Sequence, residues 1–292
     1  MKLSKWMQMG FLFSLFAGAA APAGADPVPA MDRVVWIWLE GVSVSEGAAG
    51  AFMKGILRNQ PSVRFSGFQQ VNPSTQGNAI AMIAGTDLGV KDNELTRIFA
   101  PTVVDLLESK GIPWKVYAED FPGACYLSPG LGNYKRYRVP FLSVDRIQAD
   151  RYLCMNILNY SNYQDDLKNG TLARFSVVIP NLKSSGAFGD SLAVDSGLKT
   201  LLSPILRNED LMNRTTFVIS TMNSAQDQGE APFAMIFGKW VKDYGRVVKE
   251  PVNHYSVLRT LEEGLSLGNL NQEDAKAAPL TGFWAKTGSL QD

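Results

Sequence analysis

The sequence predicts an α/β fold in which a mainly parallel sheet is covered by helices on both faces. The first observation is the stretch VVWIWL at residues 34–39, a continuous apolar run rich in β-branched and aromatic residues. Such a run indicates a strand that is buried on both faces, as in a parallel sheet. The second observation is that further strand-like runs alternate along the chain with helix-like segments, which is typical of a helix-covered parallel sheet.

The remaining elements are predicted from apolar runs and from the residues that end them. Strands are expected at residues 114–118, 175–179, 216–221 and 233–237. Helices are expected at residues 47–57, 100–110, 198–206 and 255–263. The second of these helices ends with Lys110 and Gly111, a basic last turn followed by glycine. Residues 271–292 show no clear period and are expected to wrap over the fold or to fray.

The stretch NPSTQGNAIAMIAG, residues 72–85, predicts a loop that leads into a helix. Its first turn carries Ser74, Thr75 and Asn78. A hydroxyl there lies over unpaired N–H groups and the positive end of the helix dipole, which suits a nucleophile or a bound phosphate oxygen. The alternative is that these hydroxyls only cap the helix, which is their common role.

The N-terminus has the pattern of a secretory signal peptide. Lys2 and Lys5 precede an apolar run, and residues 23–25 form an A-x-A cleavage site. We therefore expect residues 1–25 to be removed, leaving residues 26–292 as a single domain without a transmembrane anchor, in the periplasm or outside the cell. An uncleaved anchor is the alternative.

The composition restricts the chemistry and the partners. The 28 basic and 28 acidic residues balance, so nothing indicates a nucleic-acid partner. The single histidine, His254, excludes a multi-histidine metal site. The two cysteines, Cys125 and Cys154, suggest one disulfide in an exported protein, with two buried thiols as the alternative.

Several polar residues follow predicted strands or begin predicted helices. Glu40 follows the strand at 34–39, Asn223 and Ser224 follow the strand at 216–221, and His254 precedes a helix. Together with Thr75 they are expected near the carboxyl edge of the sheet, where open α/β folds place their ligands. Each also has an ordinary structural role available, as a cap, a turn residue or a buried polar group.

These segments together resemble the secreted bacterial phosphoesterase family that contains acid phosphatases and phosphatidylcholine-type phospholipases C, in the alkaline-phosphatase-like superfamily. The resemblance runs from about residue 33 to residue 270. It rests on segments that occur in order: VVWIWLEGVS, PSTQGNAIAMIAG, WKVYAEDFPGAC at 114–125, YKRYRVPF at 134–141, FSVVIPNL at 175–182, DSGLKTLLSPIL at 195–206 and NHYSVLRTLEE at 253–263. The resemblance implies an alkaline-phosphatase-like fold and hydrolysis of phosphoric esters.

The resemblance also implies a metal held by a Glu-Asn pair, a hydroxyl nucleophile and a late acidic pair. Glu40 then corresponds to a metal ligand, Thr75 to the nucleophile, Asn78 to a phosphate-binding residue and His254 to a residue that contacts phosphate or protonates the leaving group. Asp195 also matches. The family's other polar positions are replaced in this chain, at Gly41, Arg138, Ser185, Ala187, Asn223 and Ser224.

These replacements decide the functional expectation. A hard divalent cation needs several oxygen ligands and charge compensation, and Glu40 is the one carboxylate retained. We therefore expect a weakly active or inactive phosphoesterase without a bound cation, unless Asp190 or Asp227 serves as a substitute ligand. The alternatives are a binding module for a small phosphorylated molecule or lipid headgroup, and a working metal-dependent phosphatase or phospholipase C with Thr75 as nucleophile.

Overall fold

A computed structural model describes residues 26–224 and 229–285. Its centre is an eight-stranded sheet with the strand order β11-β2-β10-β9-β1-β8-β4-β7. The strands of this sheet are β1 (Arg33–Leu39), β2 (Ser62–Phe65), β4 (Trp114–Ala118), β7 (Ile157–Asn159), β8 (Phe175–Ile179), β9 (Thr215–Thr221), β10 (Ala234–Gly238) and β11 (Arg246–Val248). Only β10 pairs antiparallel with its neighbours, so the predicted mainly parallel sheet is confirmed.

The smaller elements surround this sheet. Two two-stranded sheets are formed by β3 (Phe68–Gln69) with β12 (Val252–Asn253), and by β5 (Gly130–Leu131) with β6 (Tyr134–Lys135). The helices are α1 (Val44–Gly47), α2 (Ala51–Asn59), α3 (Thr75–Ala84), α4 (Val103–Ser109), α5 (Asp145–Ala149), α6 (Arg151–Cys154), α7 (Tyr160–Asn169), α8 (Ser191–Leu206), α9 (Glu209–Met212), α10 (His254–Gly264) and α11 (Glu273–Lys276). Residues Arg136–Arg138 and Pro140–Ser143 form two 3₁₀ turns.

Strand β1 is buried on both faces because its side chains alternate between two apolar cores. Val34, Trp36 and Trp38 belong to the core shared with helices α3 and α10. The alternate residues of β1 belong to the core shared with α2, α7 and α8. The period of two residues along a strand therefore explains why the apolar run is continuous, and helices cover both faces as predicted.

Several predicted boundaries shift because capping residues determine where helices begin. The helix expected from residue 47 begins at Ala51, after Gly50. The helix expected from residue 198 begins at Ser191, because Asp190 accepts a hydrogen bond from the Ala193 amide at its N-terminus. The strand expected at 233–237 occupies Ala234–Gly238.

The C-terminal tail wraps over the fold as far as it is described. Phe283 and Trp284 are fully buried, and Trp284 forms an antiparallel bridge with Val241. The predicted disulfide between Cys125 and Cys154 is present. The predicted signal peptide, residues 1–25, lies outside the described residues, and within the described ones we find no helix that is long and apolar enough to cross a membrane.

Candidate functional site

The candidate site lies at the carboxyl end of β1. Glu40 directly follows this strand, and Thr75 is the first residue of α3. The Thr75 hydroxyl donates a hydrogen bond of 2.8 Å to Oε1 of Glu40. Both residues are nearly enclosed, with 8% of Glu40 and 2% of Thr75 exposed. The structure thus brings together the predicted ligand and the predicted nucleophile, 35 residues apart in the sequence.

Asn72, Ser74 and Asn78 hold Thr75 in place. Ser74 caps α3 by accepting from the Gly77 amide, and Asn72 accepts from the amide and hydroxyl of Ser74. The Asn78 carbonyl oxygen accepts from the amides of Val71 and Asn72. Its amide nitrogen donates to the carbonyls of Asn72 and Ser74.

Asn78 therefore differs from its predicted role in phosphate binding. A carboxamide offers two donors and two acceptor lone pairs, and all four are used within residues 71–74. The side chain is also fully buried. In this geometry Asn78 shapes the loop that carries Thr75 and offers no free group to a phosphate.

Arg138 provides a positive charge beside Glu40. Its Nε atom lies 2.6 Å from Oε2 of Glu40, and the two side chains are 2% and 10% exposed. Its Nη1 atom donates to the Pro180 carbonyl over 2.6 Å. The Nε–H bond does not point directly at the carboxylate, so the contact is an ion pair and not a well-aligned hydrogen bond. Burial, and next the charge of Glu40, raise the pKa of neighbouring Tyr137 to about 12.

The replaced positions Gly41, Ser185 and Asn223 take part in backbone hydrogen bonds of the segment Glu40–Gly41. The Glu40 amide donates to the Ser185 carbonyl, and the Gly41 amide donates to the Asn223 carbonyl. Gly41 has a φ of +70°, and a Cβ atom there would lie 2.7 Å from the carbonyl oxygen of Gly186. An asparagine, which the family resemblance places at residue 41, therefore does not fit unless the segment at 185–187 moves.

The predicted site residues Ser224 and Ala187 also act through backbone groups. The Ser224 amide donates to the side chain of Gln70. The Ala187 amide donates to the Ser185 hydroxyl over 3.4 Å. Neither contact supplies an anionic group to the site.

His254 is placed in the core and not at an open surface. It is fully buried, its Nε2 atom lies 3.1 Å from the Met222 carbonyl oxygen, and its ring packs edge-on against Phe68. Burial lowers the pKa of His254 to about 4, so the ring is neutral at physiological pH. In this arrangement no atom of His254 reaches a substrate, and its contact with Met222 fixes the segment that follows β9.

Of the other predicted acidic residues, the two that the structure describes, Asp190 and Asp195, have partners other than Glu40. Asp190 is exposed and caps α8. Asp195 accepts hydrogen bonds from the amides of Phe52 and Met53 at the start of α2. Asp227 lies outside the described residues. Within residues 26–224 and 229–285, no group of three or more His, Cys, Asp and Glu side chains comes together.

The described residues therefore do not fit a divalent cation. The side-chain oxygen donors at the site are one carboxylate and one hydroxyl, whereas Ca²⁺ and Mg²⁺ take about six or more oxygen ligands and Zn²⁺ takes about four ligands. The carboxylate is already paired with a guanidinium. Sequence reasoning identified Arg138 as a replaced position but missed this pairing. The available signal was a strand-end glutamate among apolar residues, which needs a positive partner once it is buried.

The fold is of the alkaline-phosphatase-like type. A protein of the alkaline phosphatase superfamily from Vibrio parahaemolyticus superposes with a TM-score of 0.57 at 13% identity, over 88% of this chain and 72% of that one. The phosphonate monoester hydrolase of Agrobacterium radiobacter superposes with a TM-score of 0.58 at 10% identity, over 85% and 76% of the chains.

Sequence comparison gives the family. The model of the Phosphoesterase family matches residues 63–221, more than half of the chain, so the chain belongs to the Phosphoesterase family. An acid phosphatase from Aspergillus niger is 27% identical over 275 residues, covering 88% of this chain and 64% of that protein. A phosphate-repressible acid phosphatase from Penicillium chrysogenum is 23% identical, covering 89% and 65%. The chain thus spans less than two thirds of the length of these relatives.

Proposed function

We propose that this chain is an exported phosphoesterase-family protein whose ester-hydrolase centre is weakly active or silent. The observation that carries the proposal is the closed cluster in which Glu40 accepts from Thr75 on one oxygen and contacts Arg138 with the other. Family membership and the acid phosphatase relatives support a phosphoester as the substrate of any remaining activity. The cluster retains a hydroxyl and a carboxylate but lacks the groups that would activate them.

Thr75 has little to make it a nucleophile. Its hydroxyl proton points to Glu40, which is the geometry of a nucleophile and its base. However, the second oxygen of Glu40 lies 2.6 Å from Nε of Arg138, so the carboxylate is already paired with a cation. The dipole of α3 contributes about 0.3–1 kcal/mol, whereas enzymatic acceleration needs roughly 8 kcal/mol or more. The near-complete burial of Thr75 and Arg138 also keeps a phosphate out of this arrangement.

A neighbouring cleft favours a second candidate function, the binding of a small zwitterion such as a lipid headgroup. A cavity of about 380 Å³ opens where β4, β7 and β8 end, and its lining includes Glu119, Tyr160, Lys183 and Ser184. Glu119 is fixed by the Asn181 amide at 2.9 Å and the Ser184 hydroxyl at 3.3 Å. One carboxylate and one ammonium group in one cleft complement a ligand that carries both charges.

Export is supported by two observations. The signal-peptide pattern of residues 1–25 predicts secretion. The Cys125–Cys154 disulfide is typical of an oxidising compartment such as the periplasm or the extracellular space. That residues 26–292 form one domain stays a prediction.

Turnover by the purified chain tests the proposal. Hydrolysis of p-nitrophenyl phosphate and bis-p-nitrophenyl phosphate should be measured across pH for residues 26–292, with EDTA and with Ca²⁺, Mg²⁺, Mn²⁺ or Zn²⁺. We expect turnover near background that Thr75→Ala does not change. The matched control is Ser74→Ala, which removes the adjacent capping hydroxyl. Turnover abolished by Thr75→Ala but retained by Ser74→Ala would establish a working phosphatase and overturn the proposal.

A further inference from the structure

Glu40 is a buried acidic residue at the end of β1. Its side chain is 10% exposed, and in the described part of the chain Arg138 is the one cationic group within ion-pair distance of it. A carboxylate removed from water needs a compensating positive charge, because an uncompensated buried charge strongly destabilises a fold. In this chain the compensating charge belongs to the side chain of Arg138, which is covalently attached to the protein.

Arg138 reaches Glu40 from a rigid support. The residue lies in the 3₁₀ turn Arg136–Arg138, and the following turn begins at Pro140. The ring of Phe141 in that second turn stacks on Trp38 of β1, with centroids 5.8 Å apart. The guanidinium is anchored at a second point, because its Nη1 donates to the Pro180 carbonyl just after β8. One side chain thus joins the ends of two neighbouring strands to the segment that follows the β5–β6 hairpin.

We propose that the Arg138 guanidinium is a built-in replacement for the cation that the fold family implies at Glu40. It neutralises the carboxylate, and Glu40 in turn orients the Thr75 hydroxyl. Arg138 is therefore a positioning residue, and the arrangement of Thr75 depends on a covalently attached cation and not on a dissolved one. This inference deepens the proposed function, since both concern the cluster of Glu40 and Thr75.

A guanidinium suits this set of side chains, whereas a metal ion does not, for a physical reason. A guanidinium has a fixed planar shape, stays ionised at all ordinary pH values and donates in several directions. One positive charge balances one carboxylate, so the cluster is neutral without further acids. This accounts for the absence of acidic side chains at Asn223 and Ser224, because additional carboxylates there would add negative charge that one arginine does not balance.

Chemical rescue of a truncated side chain tests the inference. In Arg138→Ala, the melting temperature should fall by roughly 6–20 °C, as expected for one broken buried ion pair in a chain of this size. Methylguanidinium at concentrations below those that denature should raise the melting temperature of Arg138→Ala. The double variant Arg138→Ala/Glu40→Gln should be more stable than Arg138→Ala and should lose the response to methylguanidinium, because no carboxylate remains to bind it.

Arg136→Ala is the matched control. Arg136 belongs to the same 3₁₀ turn and is also largely buried, but its Nη1 donates to the Leu127 carbonyl and not to Glu40. Its loss should lower the melting temperature without any recovery in methylguanidinium beyond that of the wild type. If Arg138→Ala does not fold, Arg138→Lys keeps the inference testable: it should lie between the wild type and Arg138→Ala/Glu40→Gln in stability.

Three results would overturn the inference. The first is an equal response of Arg138→Ala and Arg136→Ala to methylguanidinium. The second is a double variant that is less stable than Arg138→Ala. The third is a rise in the wild-type melting temperature with Ca²⁺, Mg²⁺, Mn²⁺ or Zn²⁺ that Glu40→Gln abolishes. All of these readouts are melting temperatures. Turnover by the wild type would therefore contradict the proposed weak or absent activity, but it would not decide the role of Arg138.

Discussion

Two buried glutamates in this molecule are neutralised in different ways. Glu40, at the end of β1, contacts the guanidinium of Arg138. Glu262, on α10, is also buried but lies beside Asp274 of α11. Burial, and next the charge of Asp274, raise the pKa of Glu262 to about 9, so this carboxyl keeps its proton at neutral pH. The first acid is paired with a fixed cation, whereas the second is neutralised by protonation.

The two residues differ in the group that compensates them, which is a cation at the candidate site and a bound proton in the core. A protonated carboxyl such as Glu262 loses its neutrality when the pH rises, and Arg259 favours that loss by lowering the pKa of Glu262. An arginine side chain stays ionised across the ordinary pH range. The part of the molecule that orients Thr75 therefore contains a permanent positive charge, that of Arg138.

The largest predicted effect comes from removing the carboxylate of Glu40 from its ion pair with Arg138. Glu40→Ala leaves the guanidinium of Arg138 buried without its carboxylate, and we expect a loss of about 3–5 kcal/mol in the free energy of unfolding. Denaturant melts at neutral pH measure this loss. Glu46→Ala is the control, since Glu46 forms only a capping box with Ser43 and should cost about 1 kcal/mol. Equal losses for the two variants would contradict a buried ion pair.

The next prediction concerns Glu262 and the direction of its pH dependence. The pKa is raised on folding, so the contribution of Glu262 to stability is fully present below its unfolded pKa near 4.5 and is lost as the pH rises toward 9. Between about pH 5 and pH 8 the loss is up to roughly 1.4 kcal/mol per pH unit. Glu262→Gln should remove this slope, because its amide is neutral and can donate to Asp274.

Glu263→Gln is the matched control for that experiment. Glu263 is the next residue on α10 and pairs with Arg259 at a partly exposed position. Its charge is the smallest of the contributions that raise the pKa of Glu262, so its replacement should leave most of the decline of stability between pH 5 and pH 8. A wild type whose unfolding free energy does not fall over this range would contradict the raised pKa of Glu262.

The lowered pKa of His254 predicts that the free energy of unfolding falls as the pH falls, which is the opposite of the trend for Glu262. Its pKa is lowered on folding from 6.5 to about 4, so its contribution to stability is fully present above pH 6.5 and is lost as the pH falls toward 4. We expect a loss of up to roughly 3 kcal/mol across this window. Because His254 is the one histidine of the chain, subtracting the curve of His254→Leu from that of the wild type isolates its contribution. A difference curve that is flat from pH 4 to pH 7 would contradict the buried neutral ring.

Sequence patterns predicted the fold better than the contacts of the site. The apolar run of β1 and the alternation of strands and helices are local signals, and they gave the parallel sheet with the correct covering on both faces. The short strands β2 and β7 were missed, because SVRF and ILN are too short to show a period. The meeting of Glu40 and Thr75 followed from topology, since both lie at the carboxyl edge of the sheet.

The roles of Arg138, Asn78 and His254 could not be predicted from spacing. The pairing of Arg138 with Glu40 depends on the reach of a long side chain from an irregular segment. The four hydrogen bonds of Asn78 depend on the path of a loop, which has no sequence period. The burial of His254 depends on how α10 docks against Phe68. In each case the residue type was noticed, but its partner was determined by tertiary structure.

The smallest predicted effect concerns the hydroxyl group of Thr75. Thr75→Val removes the hydroxyl that donates to Glu40, and we expect a loss of about 1.5–3 kcal/mol, since a hydrogen bond to a charged group is broken while the shape is kept. Thr221→Val is the matched control: this threonine at the end of β9 is equally buried, but its hydroxyl has no hydrogen-bond partner among the described residues. Its replacement should be neutral or slightly stabilising, because a buried unpaired hydroxyl is removed. Urea melts of the two variants at neutral pH give the comparison, and identical effects would mean that Thr75 is not bound to Glu40 in solution.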